Sequence, residues 1–343
     1  MYLCYGDKTI LENQYNSAKH WVDYEIREAA KISKVYQDMP WYSVDNHEDA
    51  KYIWDVDFHF GEWCEPDAKS GDPMETMKLY YHPDYKTATM YLFYSSSLLS
   101  KIAEILGYYD DSISYSKYSE KVKQVYNKYF ISEKGKITEG RQAPNVRALY
   151  FNLADENHKK AVAEYLAELI HKNDYHLNTG FLATPYLLPM LVENGYSEEA
   201  FRVLEQTECP GWLYNVKCGA TTILENWDGY QKCQNSFNHY SYGAVCNFLF
   251  EYVAGIRPLI EHPGYREFEL RPVIGGDLTS AEAVQDTFYG VIKSAWQKER
   301  DGSFTYHFTV PANTTAHVYL KSNSKTIKKT LGSGEYTLRE NEI

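Results

Sequence analysis

One short region of the chain gathers residue types that could transfer protons and hold a sugar. Residues 219–229 contain Glu225 and Trp227, and the stretch 236–243 that follows contains His239. An ionisable side chain moves protons, aromatic faces stack on the C–H surfaces of a sugar, and short polar groups bond its hydroxyls. Together these residues indicate a pocket for a neutral sugar and favour a glycosidase.

Glu225 has a structural alternative as a solvated carboxylate or a simple hydrogen-bond acceptor. Its neighbours favour the catalytic interpretation, because Gly219-Ala220 permits close backbone approach and Thr221-Thr222 offers hydroxyls. Trp227 is an unusual residue to place beside a charge, and we expect it to contact the substrate. His239 lies at the start of a predicted helix, where a structural hydrogen bond and a substrate contact are both compatible with the sequence.

A second cluster, residues 54–67, holds five carboxylates and two tryptophans within 14 residues. It has three interpretations: a loop for a divalent ion, the wall of a sugar site, or a packed loop whose charges face water. A calcium loop needs oxygen ligands at regular spacings without large aromatic residues, so we favour the sugar wall. Trp63 is then the stacking platform, and Glu62 or Asp57 a ligand for a hydroxyl.

Composition excludes several other functions. The net charge of -12 and pI near 5.4 argue against nucleic acid and against an anionic membrane surface. No apolar run reaches the roughly 20 residues of a membrane span. Phosphate-loop, HExxH and GxSxG motifs are missing from the sequence, and the six cysteines include no CxxC pair. We therefore expect no cofactor, no metal, and reduced, mostly buried thiols.

Acidic residues within the first dozen positions do not resemble a secretory signal. Taken by itself, this chain favours the cytoplasm, whereas a longer parent could be periplasmic or secreted.

Two kinds of element must position these residues. Helical periodicity and capping residues dominate up to about residue 255. They predict helices over 8–30, 98–106, 113–129, 155–170, 141–153, 180–194, 197–207 and 236–254. The aperiodic stretch 38–84 predicts a long functional loop.

Beyond residue 256, alternation at 304–310 and 316–320 with an Asp301-Gly302 turn predicts strands. The sequence thus predicts a mainly α chain: an α/α toroid over 1–256 with its site at one end, and a small antiparallel β domain over 257–343.

These residues resemble the bacterial α-L-rhamnosidases of glycoside hydrolase family 78. The similarity runs through nearly the whole chain in matching order. It covers residues 5–15, 21–24, 60–63, 66–67, 179–189, 219–229, 236–243, 252–256, 263–265 and 271–272. The resemblance implies a six-hairpin α/α barrel followed by a β-sandwich, and inverting hydrolysis of terminal α-L-rhamnosyl linkages. It implies that Glu225 is the general base, Trp63 an aromatic wall and His239 a sugar contact. Glu62 stands where the family usually has Asp.

One departure from the family concerns the general acid. The family places this Glu in an Asp-x-x-x-Arg-x-Glu-Arg-Leu-Gly-Trp segment, which does not occur in these 343 residues. The resemblance therefore implies the C-terminal part of such an enzyme, without its first barrel helices and its acid. Activity then requires an acid from the missing sequence or from another carboxylate, such as Asp57 or Glu65. An incomplete barrel exposes apolar helix faces, which favours self-association into homo-oligomers. A non-catalytic sugar-binding remnant, or pseudoenzyme, is the alternative function.

Overall fold

The structure is a computed structural model that describes residues 1–31, 33–43, 45–56, 59–67, 84–229, 236–322 and 325–342. The chain forms two compact units. One is Asn13–Gly243, and the other combines Met1–Glu12 with Ala244–Ile343. The first unit is helical, and the second holds the described strands.

The helices follow the apolar periodicity of the sequence. Their bounds are α1 Tyr2–Tyr5, α2 Thr9–Ala29, α3 Tyr85–Leu106, α4 Tyr109–Phe130, α5 Ala143–Tyr150, α6 Lys159–Lys172, α7 Thr184–Glu193, α8 Ser197–Leu204, α9 Trp212–Lys217 and α10 Val245–Phe248. Their ends have local causes. The Asp84 carboxylate accepts the Thr87 N–H at the start of α3, and Gly107 ends that helix at φ 83°, a left-handed conformation that suits glycine.

Successive helices of the larger unit pack in pairs. The pairs are α3 with α4, α5 with α6 and α7 with α8, and α5 also packs on α7. Beside the first pair, α2 contributes Tyr15 and Val22 to a buried cluster with Leu99, Ala103 and Tyr115. Removal of such side chains from water is the main stabilising term of this unit. The predicted succession of helix pairs is thus present.

The helix predicted over 236–254 is wrong in its first part. Residues 236–239 are not helical and bond to an earlier segment, so helical structure begins only with a 3₁₀ turn at Ser241–Ala244. It continues through α10 into a π-helical turn at Leu249–Val253. Backbone partners outside the segment hold residues 236–239 in their non-helical conformation.

The smaller unit contains two four-stranded sheets. The strands are β1 Ile256–Pro258, β2 Glu267–Leu270, β3 Ser280–Thr287, β4 Gly290–Lys298, β5 Phe304–Val310, β6 Thr315–Ser322, β7 Lys325–Leu331 and β8 Gly334–Arg339. Their orders are β1-β2-β6-β7 and β3-β4-β5-β8. All pairs are antiparallel except β2 with β6, which is parallel. Each sheet buries alternate side chains, such as Phe268, Leu270, Trp296 and Phe308, as half-buried strands do.

Two further expectations concern the surface. In the described part of the chain, no helix combines the length and apolarity that a membrane crossing requires. The described thiols are less buried than predicted: Cys4, Cys209, Cys218 and Cys246 are exposed, and among the described cysteines only Cys64 is buried. Cys233 lies outside the described residues.

Candidate active site

Two irregular segments form the base of the candidate site. The N–H of His239 donates to the Ile223 carbonyl at 2.8 Å, and the N–H of Glu225 donates to the Ser236 carbonyl at 3.0 Å. The Thr222 hydroxyl also donates to the Phe237 carbonyl. These bonds fix 222–225 beside 236–239, so the predicted base and the predicted histidine belong to one small framework.

The Glu225 side chain is half-buried, and one of its oxygens is held by the backbone. Its Oε2 accepts the Ser236 N–H at 2.8 Å. A bond from a backbone N–H fixes the direction of the carboxylate. Glu225 therefore has the two properties that a general base needs: a fixed direction and access to water.

Gly219 contributes to the site differently from our expectation. No described atom lies within 4 Å of the position that its Cβ would occupy, so close backbone approach is not its role. Its φ is 84°, and its N–H donates to the Val216 carbonyl just after α9. Glycine is favoured because the chain turns through a left-handed conformation there, before it enters the Glu225 segment.

Trp227 packs beneath the site. Its ring is only 4% exposed, and it contacts Trp212 edge-on at 5.4 Å and Tyr242 at 4.2 Å between ring centroids. A ring with so little free surface offers no face for a sugar to stack on. The structure thus assigns Trp227 to the core of the site, in contrast to the substrate contact predicted from the sequence.

Tyr242 joins the Glu225 framework to the loop that carries Trp63. Its ring is buried, and its hydroxyl donates to the Cys64 carbonyl. Burial raises the pKa of Tyr242 well above its usual range, and the nearby Glu65 and Glu225 carboxylates raise it further. The neutral hydroxyl is therefore a permanent donor, and it ties together segments that are 178 positions apart.

Trp63 is half-buried beside Phe60, with ring centroids 5.2 Å apart and nearly perpendicular planes. The Trp63 carbonyl accepts the Phe181 N–H at 2.8 Å. A Cβ at Gly180 would lie 2.1 Å from the Trp63 oxygen, so only glycine permits this approach. The loop of Trp63 is thereby fixed against the segment that precedes α7.

His239 stacks on Phe181 at 4.7 Å between ring centroids, with planes 22° apart. Its Nδ1 lies 3.3 Å from the Ser241 N–H and accepts from it. An accepting nitrogen carries no proton, so the proton of the neutral ring is assigned to Nε2. His239 is consequently oriented to offer an N–H donor at the other edge of its ring. Phe181, which contacts both His239 and the Trp63 carbonyl, was missed from the sequence.

Glu62 has protein partners on both carboxylate oxygens. Oε1 accepts the Ala183 N–H at 3.1 Å, and Oε2 pairs with Nη1 of the fully buried Arg147. Arg147 also donates to the Thr87 hydroxyl at 2.9 Å. With its side chain only 6% exposed, Glu62 holds the Trp63 loop to α5 and α7. This differs from the hydroxyl ligand predicted from the sequence.

Glu65 is the second acidic group next to the Tyr242 link. Its side chain is 13% exposed. Arg141 Nη1 lies 3.7 Å from the Glu65 carboxylate, which is too far for a hydrogen bond, and it pairs with Asp67 at 2.6 Å instead. Burial raises the pKa of Glu65 to about 7, against the lowering effect of Arg141. At neutral pH this carboxyl is therefore partly protonated and able to give up a proton.

The remaining carboxylates of the 54–67 cluster favour structural roles. Asp55 is buried and accepts from the Trp41 indole at 2.8 Å and from the Tyr42 hydroxyl at 3.0 Å. Asp57 lies outside the described residues. Within the described ranges, no three His, Cys, Asp or Glu side chains are grouped as metal ligands. Asp55 and Asp67 are thus engaged by donors and cations of the protein, unlike Glu65.

Comparison with known proteins assigns the class. A family model for the six-hairpin glycosidase domain of bacterial α-L-rhamnosidases matches residues 1–253, and the model for their C-terminal domain matches residues 255–335. The helical part is therefore a six-hairpin glycosidase domain, and the predicted fold class is confirmed. The chain belongs to the bacterial α-L-rhamnosidase family.

Individual relatives agree with this assignment. An α-L-rhamnosidase of Streptomyces avermitilis is 31% identical over 94% of this chain, and one of Formosa agariphila is 32% identical over 94%. The crystal structure of the Streptomyces avermitilis enzyme complexed with L-rhamnose superposes with a TM-score of 0.82 at 29% identity, over 98% of this chain and 31% of that one. The enzyme from Aspergillus terreus gives 0.84 at 30%, over 98% and 37%. The chain spans 28% and 33% of the length of the two curated relatives.

Proposed function

We propose that this chain is part of an inverting glycoside hydrolase that removes terminal α-L-rhamnosyl residues, with Glu225 as its general base. The observation that carries the proposal is the position of Glu225. Its carboxylate is held by the Ser236 N–H in the framework that also orients His239, and Tyr242 ties this framework to the Trp63 loop. Membership of the α-L-rhamnosidase family supports the substrate class.

The proposed reaction consumes one water molecule. Glu225 accepts a proton from the water, whose oxygen forms a bond to the anomeric carbon from the face opposite the leaving group. The bond from this carbon to the glycosidic oxygen breaks, and a carboxylic acid protonates the departing oxygen. Inverting enzymes need two carboxyl groups roughly 6.5–9.5 Å apart for this purpose.

The roles of the other residues follow from their surroundings. We assign Trp63 to stacking on the sugar and His239 to a hydrogen bond from Nε2 to a hydroxyl. Glu62 and Trp227 serve as positioning residues, since one is paired with Arg147 and the other is packed against Tyr242. Asp57 is kept as a proposed hydroxyl ligand. We propose domain limits of 1–256 and 257–343.

Two sources are proposed for the general acid. The first is the family's acid segment, which the resemblance places outside these 343 residues. The second is Glu65, whose pKa of about 7 suits proton donation at neutral pH. Without any positioned acid, the hydrolysis of poor leaving groups should fall by about 10²–10⁴-fold.

Two substrates with different leaving groups distinguish a chain that contains a general acid from a chain that contains only the base. The p-nitrophenolate group departs without protonation, whereas the methoxide group of methyl α-L-rhamnoside requires an acid. A chain with the base alone should release p-nitrophenol from its α-L-rhamnoside but leave the methyl glycoside intact. In the Glu225→Gln variant, p-nitrophenol release should fall by about 10²–10⁴-fold. Glu251→Gln, a half-buried Glu of the other unit, is the matched control and should retain it.

Product analysis tests the stereochemistry. In an inverting reaction the first sugar seen by NMR is β-L-rhamnose. Initial release of the α-anomer contradicts inversion, and unchanged turnover in Glu225→Gln contradicts the role of Glu225. Binding of L-rhamnose without any turnover of the nitrophenyl substrate supports the alternative function, a sugar-binding pseudoenzyme.

A further inference from the structure

The smaller unit contains a cavity that the proposed reaction does not use. Its volume is about 420 Å³, within the range of small-molecule pockets. Residues of α1, of the turn before β2 and of the β3–β4 turn line it, all within the smaller unit. The side chains that matter for the argument are Tyr5, Glu261, His262, Arg266, Phe288 and Tyr289.

Three aromatic rings at this pocket are exposed. Phe288 is 78% exposed, Tyr5 is 49% exposed and Tyr289 is 38% exposed. The rings of Tyr5 and Phe288 stand at 64° with centroids 5.8 Å apart. Rings with so much free surface contribute little to a core, and a cluster of them around a cavity is typical of a binding surface. Two rings at an angle offer stacking faces to adjoining sugar units.

Hydrogen bonds fix the backbone segments that carry these rings. The Gly264 N–H donates to the Leu3 carbonyl at 2.8 Å, which fastens α1 to the turn before β2. At the tip of the β3–β4 hairpin, the Thr287 hydroxyl donates to the Gly290 carbonyl at 2.7 Å and accepts the Tyr289 N–H at 3.1 Å. A preorganised surface loses less entropy on binding.

The polar groups around the pocket fit a neutral ligand. Glu261 and Arg266 carry opposite charges, and both are exposed. His262 is also exposed and has its Nδ1 3.5 Å from the Glu267 carboxylate. A saccharide hydroxyl can accept a hydrogen bond from a cationic donor and donate one to an anionic acceptor, so this mixture of groups suits a saccharide. A phosphate ligand would favour several cations, and a metal ion would favour several carboxylates.

We propose that this pocket binds a neutral saccharide, so that the chain has a carbohydrate-binding site in its smaller unit in addition to the site of Glu225. The sugar stacks on Tyr5 and Phe288, while Glu261, His262 and Arg266 bond its hydroxyls. This proposal does not depend on the function proposed for Glu225, because no lining residue of the pocket belongs to that site.

The test uses the full chain and three probes: methyl α-L-rhamnoside, cellotetraose and maltotetraose. Binding is measured by ligand-observed NMR and mapped by hydrogen exchange. We expect at least one probe to protect peptides covering 284–292. Phe288→Ala should weaken this binding by about two- to tenfold, and Tyr5→Ala combined with Phe288→Ala should weaken it further. Phe250→Ala, which removes another exposed ring of the same unit, is the matched control and should not change it.

Several results would overturn the proposal. They are the absence of binding by all three neutral probes at millimolar concentration, an affinity unchanged by Phe288→Ala, and protection confined to peptides of the Glu225 site. Sedimentation tests whether a second copy of the chain binds this surface. If Phe288→Ala converts a dimer into a monomer, the surface binds that second copy instead of a saccharide. Loss of nitrophenyl rhamnoside turnover in Glu225→Gln leaves these results unaffected, so the two proposals fail independently.

Discussion

At the scale of single residues, Glu225 and Glu65 are two carboxyls that lie in different surroundings. Glu225 accepts a backbone N–H and is half-buried, which suits a base. Glu65 is more deeply enclosed, and the nearest Arg141 nitrogen is too distant for a hydrogen bond. Burial without a close cation favours the protonated form. Environments of this kind separate acid from base in glycosidases.

Glu65 should make stability depend on pH. Its pKa rises from 4.5 to about 7 on folding, so between these values the folded chain binds more protons than the unfolded chain. The free energy of unfolding therefore decreases as pH rises through this window. Glu65→Gln should flatten the slope by up to about 1 kcal/mol per pH unit, as measured by urea denaturation from pH 4.5 to 8.

Glu25 provides the control for this measurement. Burial raises the pKa of Glu25 to about 7 as well, so Glu25→Gln should flatten the slope in the same direction from a separate position on α2. The two effects should add, because distant sites act independently. A Glu65→Gln variant with the slope of the wild type would show that this carboxyl is ionised throughout the range.

At the scale of elements, the site depends on loops that are fixed to helices at a few points. The Trp63 loop is attached through Glu62 to Arg147 on α5, through its carbonyl to Phe181, and through Cys64 to Tyr242. Loops can place functional groups accurately when a rigid scaffold holds them. The buried pair of Glu62 and Arg147 favours one position of the loop, since separating the two charges leaves each uncompensated.

The Tyr242 link can be removed with little change in shape. Tyr242→Phe keeps the ring but leaves the Cys64 carbonyl without this donor, and should lower the free energy of unfolding by about 1–3 kcal/mol. Tyr240→Phe is the matched control, because that side chain is 85% exposed; its effect should stay within about 0.5 kcal/mol. Chemical denaturation followed by tryptophan fluorescence measures both. Equal stability of the two variants would argue against the link.

At the scale of the whole molecule, each unit has its own buried core. Phe268 is fully buried in the β unit, and Leu187 is fully buried in the helical unit. Such cores make each unit a compact body with its own local stability. The Glu225 site lies in the helical unit, and the cavity lined by Tyr5 and Phe288 lies in the β unit.

Core truncations should therefore act locally. Phe268→Ala should cost about 3–5 kcal/mol and accelerate hydrogen exchange in peptides of β1 to β8 more than in those of α6 to α8. Leu187→Ala should cost about 2–5 kcal/mol and give the opposite pattern. Peptide-resolved exchange measured by mass spectrometry distinguishes the two. Uniform acceleration across the chain by either variant would mean that the units unfold together.

The sequence alone determined the helices and strands that depend on local interactions. Periodicity and Gly107 predicted the last part of α3, over 98–106, and the alternation at 304–310 predicted β5, because capping and amphipathicity involve residues only a few positions apart. The first part of α3, from Tyr85, was not predicted. It also singled out Glu225 and His239 as candidate site residues, since their residue types and spacing suggest the chemistry.

Only the tertiary structure decided which side chains face the site and which support it. Glu62 pairs with Arg147, Trp227 packs under Tyr242, and residues 236–239 are non-helical where the sequence predicted a helix. The physical reason is that these outcomes depend on partners far along the chain, such as Cys64 for Tyr242 at a separation of 178 positions. Local propensity contains no information about such partners, and burial beside them outweighs it.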